Sequence, residues 1–135
     1  MDQRFSKAEK LKSKKLIGKL FSEGKSISRF PLRLVYVKTE LPGTTGVQVA
    51  VSVSKRRFRK AVDRNRIKRL LRETYRLNKQ GVTDRAGASF AFMILYLGKE
   101  IPDYAKTDRK MKELLHLFLE KESEEDPSKK EAHEF

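Results

Sequence analysis

The sequence predicts an α/β sandwich in which the elements follow one another as α-β-β-α-β-α around a small mixed sheet. Three observations support this fold class. Valines alternate with small or polar residues over 47–54, as expected for a strand with one apolar face. Residues 89–97 form an almost continuous apolar run, which is typical of a strand buried on both faces. Three other stretches repeat apolar residues at helical spacing.

The composition limits the class of protein. The chain has 135 residues, and 32 Lys and Arg against 18 Asp and Glu give a net charge of +14. The absence of cysteine excludes disulfides and thiolate metal sites and fits a reducing compartment. No apolar stretch approaches the roughly 20 residues that span a membrane, so we expect a cytoplasmic protein. We predict one α/β domain over residues 1–120 and a disordered charged tail over 121–135.

The N-terminal part predicts an extended arm followed by one short helix. Few apolar residues lie between 4 and 15, so we expect no helix there. Ser13 is the predicted N-cap of the helix, and Gly24 suits a left-handed position at its end. The apolar stripe consists of Leu16, Ile17, Leu20 and Phe21. Core packing explains such a stripe, but Ile17 and Phe21 would also suit a strip that faces a groove.

Two strands, a helix, a strand and a last helix are predicted to follow. The first strand places Leu32, Leu34 and Tyr36 on one side and Arg33, Val35 and Val37 on the other. The second strand, 47–53, has a face of small polar residues that suits either a shallow ligand floor or water. Residues 78–87 are predicted to be a loop. Asp103 is the predicted cap of the last helix, whose stripe contains Tyr104, Met111, Leu114, Leu115, Phe118 and Leu119.

The positive charge is concentrated between residues 55 and 72. This segment has one acid, Asp63, among ten basic residues, so it carries +9 of the net +14. The basic residues are Lys55, Arg56, Arg57, Arg59, Lys60, Arg64, Arg66, Lys68, Arg69 and Arg72. Like charges at this density repel one another, which favours a polyanionic partner that neutralises them.

The same segment predicts an amphipathic helix with Asp63 as its N-cap. Its apolar stripe contains Ile67, Leu70, Leu71, Thr74 and Leu77. The opposite side, which we call the cationic face, is centred on Asn65, Lys68, Arg69, Arg72 and Arg76, with Arg64 and Arg66 on its flanks. A rigid array of guanidinium groups suits the phosphates of a nucleic acid.

Other functions remain open at this point or are disfavoured. A charged helix face is often simply solvated, and a basic amphipathic helix can also bind a membrane surface or calmodulin. The narrow apolar stripe without Trp or Phe disfavours the membrane and calmodulin alternatives. No catalytic group of residues is apparent, because His116 and His133 have no partner carboxylate at a suitable spacing, and a phosphate-binding GxxxxGK loop is absent.

Residues 61–69, AVDRNRIKR, closely resemble the RNR signature of the protein subunit of bacterial ribonuclease P. The preceding VSVSK at 51–55 and the FSEG at 21–24 match the family too, and the likeness runs from about Leu11 to Leu119. The resemblance implies a sandwich with a left-handed βαβ crossover through the basic helix, the fold of the second domain of ribosomal protein S5. That hand is opposite to the usual one.

The resemblance also implies a function. In the family, the RNA subunit performs magnesium-dependent endonucleolytic removal of the 5′ leader of precursor tRNA, and Mg²⁺ is held mainly by that RNA and the substrate. The protein binds the catalytic RNA and the leader, so we expect no protein catalytic residue, no protein metal site, no membrane and no small-molecule substrate. A ribosomal or ribosome-assembly protein without a role in cleavage is the alternative.

The resemblance assigns two groups of binding residues. The expected RNA-binding residues are Lys55, Arg56, Arg57, Arg59, Arg64, Asn65, Arg66, Lys68, Arg69 and Arg72. The expected leader cleft is lined by Ile17, Phe21 and Tyr36, where aromatic rings would stack on bases. The family often has an aromatic residue where Ile17 stands, so we expect only apolar contact there. The segment 55–59, KRRFR, replaces a more usual Lys-Lys-x-Gly turn and adds charge to the loop.

Overall fold

The computed structural model of the chain describes residues 10–39, 46–85 and 89–125. In chain order the elements are α1 (Lys14–Glu23), β1 (Lys25–Arg29), β2 (Leu32–Lys38), β3 (Val47–Val53), α2 (Ala61–Asn78), α3 (Gln80–Arg85), β4 (Phe90–Tyr96) and α4 (Tyr104–Glu125). The predicted helices and strands are all present, β1 and α3 are additional, and the prediction of a loop over 78–87 was wrong where α3 lies. Strand β1 has a single half-buried residue, Ile27, so its sequence lacks the apolar alternation that would predict a strand.

The four strands form one mixed sheet in the order β1-β2-β4-β3. Strand β2 is antiparallel to both β1 and β4, whereas β3 is parallel to β4. The parallel pair requires a crossover, and α2 and α3 lie in the chain between its two strands. The mixed α/β fold class is therefore confirmed, while the hand of the crossover and the likeness to ribosomal protein S5 stay predictions.

Helices α2 and α4 cover one face of the sheet and enclose the main core. The core contains aromatic rings in edge-to-face contact, with centroids 4.9 Å apart for Tyr36 and Phe118 and 4.8 Å apart for Phe92 and Phe118. Ile67 of α2 is completely buried in the same cluster. The burial of these rings fixes α2 against the sheet, so its other side must face outward.

Helix α1 packs on the opposite face, so β4 is buried on both faces as predicted, with Leu95 half-buried. Leu11, Leu20, Ala91 and Met93 are the buried residues of this second, smaller cluster. The chain enters it along the edge of the sheet, where the Leu11 amide donates to the Val49 carbonyl at 2.9 Å. The predicted extended arm is thus observed for Lys10 and Leu11, whereas residues 14 and 15 already belong to α1, and residues 1–9 lie outside the described part of the chain.

Two predicted helix caps are confirmed and one is wrong. The Ser13 hydroxyl accepts the Leu16 amide at 3.3 Å, and the Asp103 carboxylate accepts the Ala105 amide at 3.4 Å. Helix α2 begins at Ala61, so Asp63 lies within its first turn and Lys60 occupies the cap position without a side-chain hydrogen bond. Asp63 still places a negative charge at the positive end of the helix.

Gly24 ends α1 for a different reason from the predicted one. Its φ of −68° and ψ of 150° are extended rather than left-handed. A Cβ atom at this position would lie 2.2 Å from the Leu20 carbonyl oxygen and 2.9 Å from Cγ1 of Val35. Glycine is therefore required first by the last turn of α1, whose Leu20 carbonyl oxygen is the nearest atom, and second by the approach of Val35 of β2.

The C-terminal helix is longer than the sequence predicted. Helix α4 continues to Glu125, so residues 121–125 belong to the helix and not to a disordered tail. Residues 126–135 lie outside the described residues. In the described ranges, no helix combines the length and the apolar character that crossing a membrane requires.

Candidate functional site

Helix α2 is anchored by one side and presents the other to solvent. Ile67, Leu71, Thr74 and Tyr75 are its buried residues, and Leu70 and Leu77 are half-buried. The Thr74 hydroxyl donates to the Leu70 carbonyl at 3.0 Å, so this polar group is satisfied inside the core. The predicted apolar stripe of α2 faces the core, as its spacing indicated, and Tyr75 is an additional core residue.

The cationic face lies on the outward side of α2. Asn65, Arg69 and Arg72 are exposed, and Lys68 is half-buried. The side chains border a shallow groove of about 420 Å³ that is lined by Asn65, Lys68, Arg69, Arg72, Glu73 and Arg76. Since these positions recur every three or four residues, successive positive charges point in the same direction along the helix.

Most of this positive charge has no internal counter-charge. Glu73 is the carboxylate on the face, and its Oε1 lies 2.5 Å from Nη2 of Arg76. Among the residues that the structure describes, no carboxylate lies within 4.0 Å of the charged groups of Lys68, Arg69 or Arg72. These side chains are available to an external anion, while Arg76 is at least partly neutralised.

The basic loop, residues 54–60, leads into α2 and is held to the core by an aromatic residue. The Phe58 ring is buried, with its centroid 6.0 Å from that of Tyr96, and the Phe58 amide donates to the Ser54 carbonyl at 3.0 Å. Sequence reasoning noted Phe58 only as a departure from the family pattern. A lone apolar residue within a run of cations was the available signal that this residue anchors the loop.

Two of the predicted RNA-binding arginines also brace this loop. Arg64 is half-buried, and its Nη1 donates to the carbonyl oxygens of Phe58 at 2.8 Å and Arg59 at 2.9 Å. Arg57 donates through Nη1 to the Leu97 carbonyl. Lys55, Arg56 and Arg59 are exposed. The loop is therefore an ordered surface, and part of its positive charge is used to order it.

The predicted leader cleft divides between the two faces of the sheet. Ile17 is half-buried and Phe21 is 64% exposed, and both lie on α1. Tyr36 is only 3% exposed and packs under α4, on the other face. Placing Tyr36 in one cleft with Ile17 and Phe21 was wrong, because odd and even positions of β2 point to opposite sides of the sheet.

The sheet residues that face α1 are the neighbours of Tyr36 in sequence. Val35 and Val37 are partly buried in the cluster that contains Ile17. Next to them, cross-strand register forms a row of Arg33, Leu95 and Ser52 on the same face. Arg33 is exposed and the other two are half-buried. The alternation within β2 contained the signal for Arg33 and Val35, but a resemblance at Tyr36 outweighed it.

Acidic and imidazole groups are scattered over the described structure. No group of three or more His, Asp or Glu residues within the described ranges is close enough to hold a metal ion. His116 is exposed on α4, and its Nε2 lies 2.9 Å from Oε1 of Glu120, one turn further along, so the expectation that His116 has no partner carboxylate at a suitable spacing was wrong. His133 lies outside the described residues.

The fold and the site together define a class: an α/β domain with a mixed sheet that presents a preformed polycationic helix and loop. Residues 5–120 match the family model described as Ribonuclease P. The chain belongs to the ribonuclease P protein family, and it is therefore a subunit of that ribonucleoprotein endonuclease, which acts in tRNA processing. Its partner is the ribonuclease P RNA.

Individual relatives agree with this family. The ribonuclease P protein component of Porphyromonas gingivalis is 41% identical over 115 residues, which cover 82% of each chain. That of Chlorobium phaeobacteroides is 36% identical over 123 residues, covering 82% of this chain and 84% of the relative.

Solved structures agree with the fold. The RNase P protein of Thermotoga maritima superposes with a TM-score of 0.65 at 25% identity, covering 79% of this chain and 94% of that one. The Staphylococcus aureus RNase P protein, at 18% identity, has the same fold with a TM-score of 0.67 and covers 82% of this chain and 95% of its own.

Proposed function

We propose that this chain binds the catalytic RNA of ribonuclease P through the basic loop and α2, and holds the 5′ leader of precursor tRNA beside α1. In this proposal the RNA and the substrate hold the Mg²⁺ ions and break the phosphodiester bond, in the cytoplasm. The protein contributes affinity and position rather than a reacting group. Removal of the leader is the step in tRNA maturation that the complex performs.

The observation that supports the proposal is the uncompensated charge on the outer side of α2. Lys68, Arg69 and Arg72 lie on one rigid helix, and Glu73 is occupied by Arg76. Such a surface releases condensed counterions when it meets phosphates, so binding gains free energy without ordering the protein. The exposed Lys55 and Arg56 extend the same charge along the basic loop.

Reconstitution tests the proposed function. Purified protein is added to the cognate catalytic RNA at low Mg²⁺, and cleavage of precursor tRNA is measured. We expect the protein to restore cleavage that the RNA alone does not perform under these conditions. Restored cleavage that Arg69→Ala and Arg72→Ala leave unchanged would contradict the role of α2, and cleavage by the protein without RNA would contradict catalysis by RNA.

A leader cleft beside α1 is supported by an exposed aromatic ring on α1 and by two polar residues on the sheet face that α1 covers in part. Phe21 offers its ring to solvent, and Arg33 and Ser52 lie on the sheet face that α1 partly covers. Proteins bind single-stranded RNA through base stacking on aromatic rings and through phosphate contacts of this kind.

Phe21→Ala tests this cleft. We expect weaker binding of leader-bearing precursor tRNA by the holoenzyme, by roughly 1 kcal/mol or more, and unchanged binding of mature tRNA. Phe30→Ala is the matched control, because Phe30 is similarly exposed, at 70%, but lies in the β1–β2 turn and not on α1. Equal weakening of both substrates by Phe21→Ala would contradict a contact with the leader.

A further inference from the structure

A second groove lies beside the cationic face, between α2 and the segment that leads into α4. It has a volume of about 360 Å³ and is lined by Arg66, Arg69, Leu70, Glu73, Ile101, Pro102 and Tyr104. We call it the base groove. Ile101 is 38% exposed and Tyr104 is 44% exposed, so an aromatic ring and a branched side chain face solvent here without a covering element.

The charge around the base groove identifies the kind of ligand that fits it. Arg66 and Arg69 are exposed at its border, and no carboxylate in the described part of the chain lies within 4.0 Å of either guanidinium group. The carboxylate of Glu73 in the groove is engaged by Arg76. Arg69 lines both this groove and the groove along α2, so the two surfaces are continuous. An apolar floor within a cationic border complements a flat base attached to phosphates.

We propose that the base groove receives one unpaired base of the catalytic RNA. The base lies against Tyr104, Ile101 and Leu70, while the phosphates on its two sides are bound by Arg66 and Arg69. This inference rests on the proposed function, since the RNA must first be bound along α2. It adds a contact in which affinity depends on stacking and not on charge.

Substitution of Tyr104 separates stacking from charge. In the full-length protein, we expect Tyr104→Ala to weaken binding of the catalytic RNA alone by roughly 5- to 150-fold. The dependence of log Kd on log salt should keep its wild-type slope, because no phosphate contact is lost. Tyr104→Phe should bind like wild type, since the ring remains.

A second set of variants distinguishes the loss of a stacking contact from misfolding and from failure of the proposed function. Tyr104→Leu keeps an apolar side chain but has no ring, so it should lose affinity like Tyr104→Ala while retaining the wild-type melting temperature. Arg72→Ala, which lines only the α2 groove, should weaken binding and flatten the salt slope by roughly 0.7–0.9.

The possible outcomes can be told apart. If Arg72→Ala weakens binding but both Tyr104→Leu and Tyr104→Ala bind like wild type, the base groove takes no RNA base and a protein partner becomes the better occupant. If Tyr104→Phe is as weak as Tyr104→Ala, the hydroxyl group is the contact and stacking is overturned. If Arg72→Ala also binds like wild type, the α2 surface itself, and with it the proposed function, fails.

Discussion

Individual arginines in the basic segment have different tasks. Arg64 donates to two carbonyl oxygens of the basic loop, and Arg57 donates to the carbonyl of Leu97, whereas Arg69 and Arg72 have no carboxylate partner in the described structure. A substitution that removes Arg64 or Arg57 therefore changes the shape of the surface as well as its charge. Because all four residues are arginines, the sequence alone hides this difference.

Replacing Arg64 by lysine tests its structural task. Lysine keeps the positive charge, but its ammonium nitrogen lies one bond closer to the backbone than Nη1 of arginine, the atom that donates to both carbonyl oxygens. We expect Arg64→Lys to lower the free energy of unfolding by about 1 kcal/mol and to leave the salt slope of RNA binding close to wild type. Urea unfolding measures the first and binding at several salt concentrations the second. Arg56→Lys, at an exposed position, is the control, and an equal effect of both substitutions would contradict a brace.

Two glycines of one helix provide a matched pair for stability. In Gly24→Ala the new Cβ would meet the Leu20 carbonyl oxygen at 2.2 Å, so we expect destabilisation by about 1–3 kcal/mol. In Gly18→Ala no atom lies within 4 Å of the new Cβ, and the removal of glycine from a helix interior should stabilise the protein by up to about 1 kcal/mol. Urea unfolding of both variants is the measurement. Equal signs would show that the Leu20 carbonyl oxygen and the Val35 side chain do not crowd position 24 as described.

At the scale of elements, α2 and α4 are joined by a hydrogen-bonded carboxylate. Asn78 donates through Nδ2 to the Thr74 carbonyl at 2.7 Å and to Oδ1 of Asp108 at 2.8 Å. Oδ2 of Asp108 lies 3.0 Å from Nζ of Lys112. The hydrogen bond from Asn78, followed by that from Lys112, lowers the pKa of Asp108 below its ordinary value.

This link predicts a pH-dependent contribution to stability. Because the folded pKa of Asp108 is lower than the unfolded one, its stabilisation is present above the unfolded value of about 4 and is lost as pH falls through the folded value. We expect Asp108→Asn to unfold more easily than wild type by about 1 kcal/mol at neutral pH, with the difference shrinking below about pH 4. Urea unfolding across this pH range is the measurement, and a difference that stays constant would contradict the link.

Elements with strong apolar periodicity could be predicted from the sequence, and weakly periodic ones could not. The alternation of β3, the apolar run of β4 and the stripes of α2 and α4 are strong because each packs on a core. Strand β1 is an edge strand whose residues are mostly exposed, so its pairing with β2 is set by tertiary contacts rather than by its own pattern. Helix α3 is only six residues long and contains a glycine, so local propensity did not indicate it.

The two candidate sites differ in predictability for a geometric reason. The cationic face involves one helix, and helical spacing converts positions in sequence directly into directions in space. The base groove joins Arg66 to Tyr104, which are far apart in the chain, and depends on how α4 begins beside α2. The misplacement of Tyr36 has a different origin, because the alternation of β2 already placed Tyr36 on the side of Leu32 and Leu34, and the family resemblance outweighed that signal.

At the scale of the whole molecule, repulsion between the positive charges of the protein opposes folding. A net charge of +14 on 135 residues, with most of it on one loop and one helix, raises the free energy of the compact state through repulsion. The burial of α2 on the sheet and under α4 must outweigh this repulsion. Any condition that screens the cations should therefore stabilise the free protein.

Salt should raise the thermal stability of the protein in the absence of RNA. Between about 0.01 M and 1 M NaCl the screening length falls from about 30 Å to about 3 Å, which removes most repulsion between exposed arginines. We expect stabilisation of about 1 kcal/mol, or roughly 3–6 °C in melting temperature. Calorimetry measures this shift, and Arg72→Gln should show a smaller one. A melting temperature that falls with added salt would mean that attractive ion pairs dominate.

The bracing of the basic loop by Arg57, Arg64 and the buried Phe58 ring has a kinetic consequence. A loop that is already ordered does not have to find its bound conformation after collision, so complex formation should proceed as rigid-body docking that is accelerated by electrostatic steering. The association rate constant would then fall steeply with ionic strength. No slow rearrangement of the protein would limit it. A substitution that disorders the basic loop would add a conformational step after the encounter and would therefore lower the association rate constant.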